Sequence, residues 1–157
     1  LAAEAAKELE SEKEVVIIPT RNIPQCITAL MNFDKQKGVK ENTDAVMEVI
    51  STVKTISVTY AVRDSEMNGK TIREGDMIAV SDKEIVANGK DASAVAMDGV
   101  GTIYDEDAGI ITIYYGESVN EDTAEELKEK MEEKYDDCDV ELYFGGQSVY
   151  SYIISVE

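Results

Sequence analysis

The 157-residue chain has no histidine, and its two cysteines, Cys26 and Cys138, lie far apart. Neither a zinc site nor a cysteine-histidine nucleophile can be assembled from that inventory. Two thiols without a framework of spacings point to a reducing interior, not to a disulfide-stapled secreted domain. No apolar run nears the roughly 20 residues of a spanning helix, and no basic-then-apolar leader opens the chain. Membrane insertion is therefore not expected, and the expected location is cytoplasmic. Basic residues are scarce: 15 Lys and Arg stand against 33 Asp and Glu, a formal charge of -18. Such a field repels phosphate backbones and anionic head groups, which argues against nucleic acid and membrane surfaces as partners.

Acidic clusters are plentiful, but pattern is missing from them too. Asp105-Glu106-Asp107 and Asp136-Asp137 with Asp139 lack the ligand spacing and central glycine of an EF-hand. They read as solvated loops, and no metal site or catalytic carboxylate pair is assigned. Gly145-Gly146-Gln147 falls far short of a phosphate-binding loop. It reads as a turn, with backbone donors that could face an anion as the functional alternative.

Both prolines sit in one stretch, Val15-Val16-Ile17-Ile18-Pro19-Thr20-Arg21-Asn22-Ile23-Pro24-Gln25. Four β-branched residues read as a strand buried on both faces and stopped at Pro19. A strand end followed by a loop and a helix is where open α/β sheets meet ligands and partners. Thr20, Arg21, Asn22 and Gln25 are therefore candidate contact residues. The plain alternative is a strand-to-helix connection fixed by proline and capping.

The rest of the chain alternates helices and strands. An amphipathic helix over residues 1–9, entered at Leu, suggests a piece of a longer polypeptide. Residues 23–33 read as a helix with Ile23, Ile27, Leu30 and Met31 inward, residues 34–42 as a loop, and Thr43 as the cap of a helix with Val46, Met47, Val49, Ile50 and Val53 inward. From Thr55 the period is two, with Ile56, Val58, Tyr60 and Val62 on one face. Asn68-Gly69 and Glu74-Gly75-Asp76 mark turns in a β-ribbon, with strands near Met77–Val80 and Glu84–Ala87. Asp91 caps a helix reaching about Tyr104, weakened by Gly99 and Gly101. Ile110–Tyr115 is a buried strand, Asn120 caps a helix over 121–134 with Ala124, Leu127 and Met131 inward, and strands at Val140–Phe144 and Val149–Val156 close the chain. Arg63-Asp64 reads as an ion pair at a strand end or as a partner contact. Tyr114, Tyr115, Tyr143, Tyr150 and Tyr152 crowd the last third and suit either an interface or half-buried strands.

Several phrases in order carry a resemblance: the proline stretch, Thr59-Tyr60-Ala61-Val62-Arg63-Asp64, Asn68-Gly69-Lys70, Phe144-Gly145-Gly146-Gln147 and Tyr152-Ile153-Ile154-Ser155-Val156-Glu157. Across essentially its whole length the chain resembles the C-terminal domain of bacterial fatty-acid kinase ATP-binding subunits, formerly described as dihydroxyacetone-kinase-like proteins. Its order of elements is also similar to the DegV family of fatty-acid-binding proteins. Where that family commonly has glycine after Pro-Gln, this chain has Cys26.

The resemblance implies an α/β, two-lobed DegV-like domain with mixed sheets flanked by helices. The first lobe is residues 1–54, helix-strand-helix-helix without its upstream part, and the second is 55–157. It implies a non-catalytic domain, inactive alone, that docks a DegV-type fatty-acid-binding carrier while an N-terminal module with ATP and magnesium makes the acyl phosphate. This chain would hold no cofactor, and its partners would be the carrier and the other modules of the polypeptide. Thr20, Arg21, Asn22, Gln25, Arg63, Gly145, Gly146 and Gln147 form the candidate contact set. The alternative function is a small-molecule domain binding an acyl chain between the lobes.

Overall fold

The computed structural model describes residues 2–9, 12–67 and 70–157. The chain divides into two compact units, Leu1–Val53 and Lys54–Glu157. No helix among the described residues is long and apolar enough to cross a membrane.

The first unit contains α1 (Ala2–Leu9), α2 (Ile23–Met31) and α3 (Val39–Thr52). No residue of α1 is buried. The expected strand at Val15–Ile18 is not formed: the segment joins no ladder among the described residues, and Val16 is exposed. Its apolarity makes it strand material, yet a strand needs a neighbour to bond, and among the described residues none lies beside it. α2 starts where Asn22 is extended and its side-chain oxygen accepts from the Gln25 amide at 2.9 Å. Pro24 sits in the first turn, where its missing donor is harmless. The buried residues of α2 are Pro24 and Thr28, whereas Ile23, Leu30 and Met31 are exposed, opposite to the expected inward face.

α3 starts four residues earlier than its expected cap. Thr43 lies inside the helix, its hydroxyl donating to the Val39 carbonyl at 2.7 Å, and Gly38 is the N-cap. Asn42, expected in a loop, is buried and ties that loop down: its amide donates to the Asp34 and Lys37 carbonyls while its oxygen accepts from the Asp34 N–H. Val46, Ile50 and Val53 form the buried stripe, with Met47 exposed.

The second unit is a six-stranded mixed sheet in the order β5-β4-β1-β8-β6-β7. Its strands are β1 (Lys54–Tyr60), β4 (Met77–Ser81), β5 (Glu84–Gly89), β6 (Ile110–Tyr115), β7 (Asp139–Phe144) and β8 (Tyr152–Val156). Only β6 and β7 run parallel; every other neighbouring pair is antiparallel. A separate ribbon pairs β2 (Ser65–Met67) with β3 (Lys70–Ile72), and the expected Asn68-Gly69 turn lies outside the described residues. β8 begins three residues later than the alternation suggests.

The helices α4 (Ala92–Ile103) and α5 (Glu121–Lys134), capped by Asp91 and Asn120 as expected, share one core with the sheet. Ile56, Val58, Ile111, Ile113, Ile154 and Val156 meet Val95, Val100, Leu127 and Met131 there, all at most 1% exposed. Gly99 lets α4 come close. A Cβ at that position would stand 2.8 Å from the Ala79 Cβ and 2.9 Å from Ile56 Cδ1. The glycine that lowers helix propensity by about 1 kcal/mol is thus a packing requirement. Gly99→Ala is expected to destabilise the protein by about 1–2 kcal/mol in urea unfolding, overpacking outweighing the propensity gain.

Candidate functional site

Strand register gathers several candidate residues at one end of the second unit's sheet. Tyr60 pairs with Met77, Val58 with Tyr152, Tyr152 with Tyr115 and Tyr115 with Phe144, so β1, β6 and β7 all finish there. β5 also finishes there, opposite Met77, so the N-terminal ends of α4 and α5 open onto the same end. The β2–β3 ribbon leaves from β1 and returns to β4 beside them. It is the carboxyl end of these strands, where α/β sheets meet ligands and partners.

Arg63, Gly145, Gly146 and Gln147 lie in the connections at this end. Arg63 is exposed and makes no ion pair among the described residues. Its expected partner Asp64 instead accepts from the Glu74 N–H at 2.7 Å, bracing the base of the ribbon. The turn after β7 is also committed internally. The Gly145 N–H donates to the Tyr115 carbonyl at 2.9 Å, the Gln147 side-chain amide donates to the Tyr114 carbonyl at 2.8 Å, and the Gln147 carbonyl accepts from the Glu117 N–H at 3.1 Å. Gly146 has a φ of +65°, and a Cβ on Gly145 would collide with the Gln147 side chain. The turn reading holds, and Gln147 is its strut.

An exposed apolar set on the same rim escaped the sequence pattern. Tyr60 is 54% exposed, Val62 75%, Phe144 65% and Val149 58%, with Tyr150 also exposed. Alternation placed Tyr60 and Val62 inward with Ile56 and Val58, but the inward face ends where the strand does. The loop bearing Val149 and Tyr150 is pinned to β1, the Thr59 hydroxyl donating to the Val149 carbonyl at 2.8 Å and the Ser151 N–H to the Val58 carbonyl at 2.8 Å. Of the tyrosines expected at an interface or half buried, Tyr152 is fully buried with its hydroxyl 2.9 Å from Ser93 Oγ. Tyr114 stacks on exposed Tyr143 with centroids 5.9 Å apart.

Asp76 closes the ribbon from below. Buried to 6% exposure, it pairs with Lys90 and accepts from the Arg73 N–H at 2.9 Å. The Lys90 hydrogen bond and the Arg73 amide hold its carboxyl below the usual carboxylate range. At the far end of the sheet, Lys54 at 2.9 Å does the same for Asp105, which also accepts from the Asp107 N–H. No group of three or more acidic or cysteine side chains converges as metal ligands among the described residues.

The remaining candidates, Thr20, Arg21, Asn22 and Gln25, belong to the first unit. Asn22 and Gln25 are occupied with local structure. Asn22 caps α2, while the Gln25 side-chain oxygen accepts from the Arg21 N–H at 2.9 Å and its amide reaches the Ile50 carbonyl at 3.4 Å. Arg21 is exposed and unpaired among the described residues. Thr20 lines a cleft of about 440 Å³ with Val16, Ile18, Leu30, Phe33 and Val46.

Asn22→Ala is expected to destabilise the first unit by about 1 kcal/mol, seen as helical signal lost earlier on heating. Asp76 and Asp105 have folded values below their unfolded ones. The stability they supply is present above the unfolded carboxylate range of about 4 and is lost as pH falls through their lowered values. Asp76→Asn should therefore flatten the acid limb of the melting-temperature profile; an unchanged limb would place the acid sensitivity elsewhere.

Comparison with known proteins bears on the whole chain. Residues 1–157 match the FakA-like C-terminal family model, which describes the C-terminal part of a fatty acid kinase subunit. An uncharacterized protein of Staphylococcus haemolyticus is 36% identical over 146 residues, 93% of this chain and 26% of its own length. Protein YloV of Bacillus subtilis is 33% identical over 157 residues, 100% of this chain and 28% of its own. An uncharacterized protein of Staphylococcus aureus is 32% identical over the same span. The chain thus covers between a quarter and a third of the length of these relatives. With the family model matched from end to end, the chain belongs to the FakA-like C-terminal family of fatty acid kinase subunits.

Proposed function

We propose that this domain docks the fatty-acid-binding carrier protein, of DegV type, so that the bound fatty acid is presented to an ATP- and magnesium-binding module elsewhere in the same cytoplasmic, dihydroxyacetone-kinase-like polypeptide. The observation that carries the reading is the exposed set Tyr60, Val62, Phe144, Val149 and Tyr150 on the strand-end rim. Aromatic and aliphatic groups on a braced scaffold suit the desolvated centre of an interface, with polar groups around it. Arg63 stands in that rim, and the amides of Gly145, Gly146 and Gln147 shape the turn beside Phe144. Thr20, Arg21, Asn22 and Gln25 form a second contact set on the first unit. In this reading the domain has the two-lobed DegV-like arrangement and supplies no catalytic group.

The net charge of -18 steers a carrier that presents a basic patch, an effect on association rate that salt screens. Carrier binding to the full-length subunit is expected to weaken about tenfold or more for Tyr60→Ala combined with Val62→Ser, in a titration at fixed salt. The association rate should fall as salt rises. Unchanged affinity in that double variant would remove the rim from the interface. Arg21→Glu with Gln25→Ala tests the first unit in the same assay, and full binding there would confine docking to the second unit.

A further inference from the structure

β7 closes one side of the second unit's sheet, and among the described residues no strand lies beyond it. Its backbone groups point alternately toward β6 and away. The Asp139 N–H donates to the Gly109 carbonyl at 3.0 Å and the Gly145 N–H to the Tyr115 carbonyl at 2.9 Å, so the odd-numbered residues bond inward. Val140, Leu142 and Phe144 therefore aim their N–H and C=O groups out of the sheet, where a further strand would bond. β7 lacks the proline, the lysine and the bulge that commonly blunt an edge. Its register with β6 runs one for one from Asp139 to Phe144, whereas at the other edge the pairing of β5 with β4 shifts register between Ala79 and Val80.

The surroundings of this edge are acidic and aromatic. Alternation puts Asp139, Glu141 and Tyr143 on one face of β7, all exposed, while α5 packs on the other. From Glu121 to Glu141, through α5 and into β7, eleven Asp and Glu stand against three Lys. We propose, resting on the docking reading above, that the carrier engages this domain by adding a strand of its own, with Lys or Arg at alternate positions, to the free edge of β7. Phe144 belongs both to this edge and to the exposed rim, so the added strand would lead directly onto the rim. Main-chain bonds to Val140, Leu142 and Phe144 supply affinity, and basic side chains opposite Asp139 and Glu141 fix the register. A second copy of the chain fits less well, because it would lay the same acidic segment against this one.

Hydrogen exchange on the full-length subunit, with and without carrier, tests this. On carrier binding the amides of Val140, Leu142 and Phe144 should slow at least about tenfold, while those of Glu141 and Tyr143, already bonded to β6, change little. Phe144→Ala removes the side chain; Phe144→Pro also removes the outward N–H without taking a bond from β6. The proline variant should therefore bind the carrier about tenfold or more weakly than the alanine variant. Should the proline variant not fold, the exchange pattern decides alone. Carrier binding that leaves the three amides unprotected, or equal affinity of two folded variants, overturns the edge and leaves the docking reading standing. No carrier binding by the unsubstituted subunit overturns both. Protection already present without carrier also overturns the edge: if it rises with protein concentration it identifies a second copy, and if it does not, another part of the same polypeptide.

Discussion

β8 is the strand on which the second unit depends. It lies between β1 and β6, bonding both, and all five of its residues are buried. Remove it and the sheet falls into two pieces, β5-β4-β1 and β6-β7, each with an open edge. The inward residues Ile154 and Val156 sit under α4 and α5, while Tyr152 reaches Ser93 on α4. One five-residue strand thus fixes the sheet order, the register that brings β1, β6 and β7 to a common end, and the platform on which the helices rest. The exposed rim is a consequence of that register.

The two units are built by unequal means. In the second, two helices and six strands bury a continuous apolar cluster, and local signals agree with tertiary demand. In the first, α2 turns Pro24 and Thr28 inward and leaves its larger apolar residues outside. Polar side chains do much of the fixing there, Asn22, Gln25 and Asn42 each closing a loop with hydrogen bonds to main chain.

Where sequence was legible, a cap and a period coincided. Asn120 before an amphipathic run gave α5 its limits and its inward face, and the β-branched run with aromatics gave β6. Asp91 gave α4 in the same way. Legibility failed where the deciding partner is distant. Val15–Ile18 has the composition of a buried strand, but composition does not provide a neighbour. Gly99 read as a weak point because the closeness of Ile56 and Ala79 is invisible in one dimension. Tyr60 and Val62 continued a true alternation beyond the ground the helices cover. Of the candidate site, the turn chemistry of Gly145-Gly146-Gln147 and capping as an alternative for the proline stretch were readable, whereas the bonds of the Gln25 side chain to the Arg21 amide and the Ile50 carbonyl were not. The family phrases fall in connections between elements without revealing which of their side chains are free.

The two thiols differ sharply in setting. Cys138 is buried, its sulfur donating to the Ala108 carbonyl at 3.0 Å near the paired rings of Tyr104 and Tyr135. Cys26 is exposed and lies on the wall of the first unit's cleft. Reagent access therefore separates them without any mutation, because alkylation requires a reachable thiolate. The native chain carries its own single-site reporter: an environment-sensitive dye on Cys26 would register the filling of the cleft while the core of the second unit stays chemically silent.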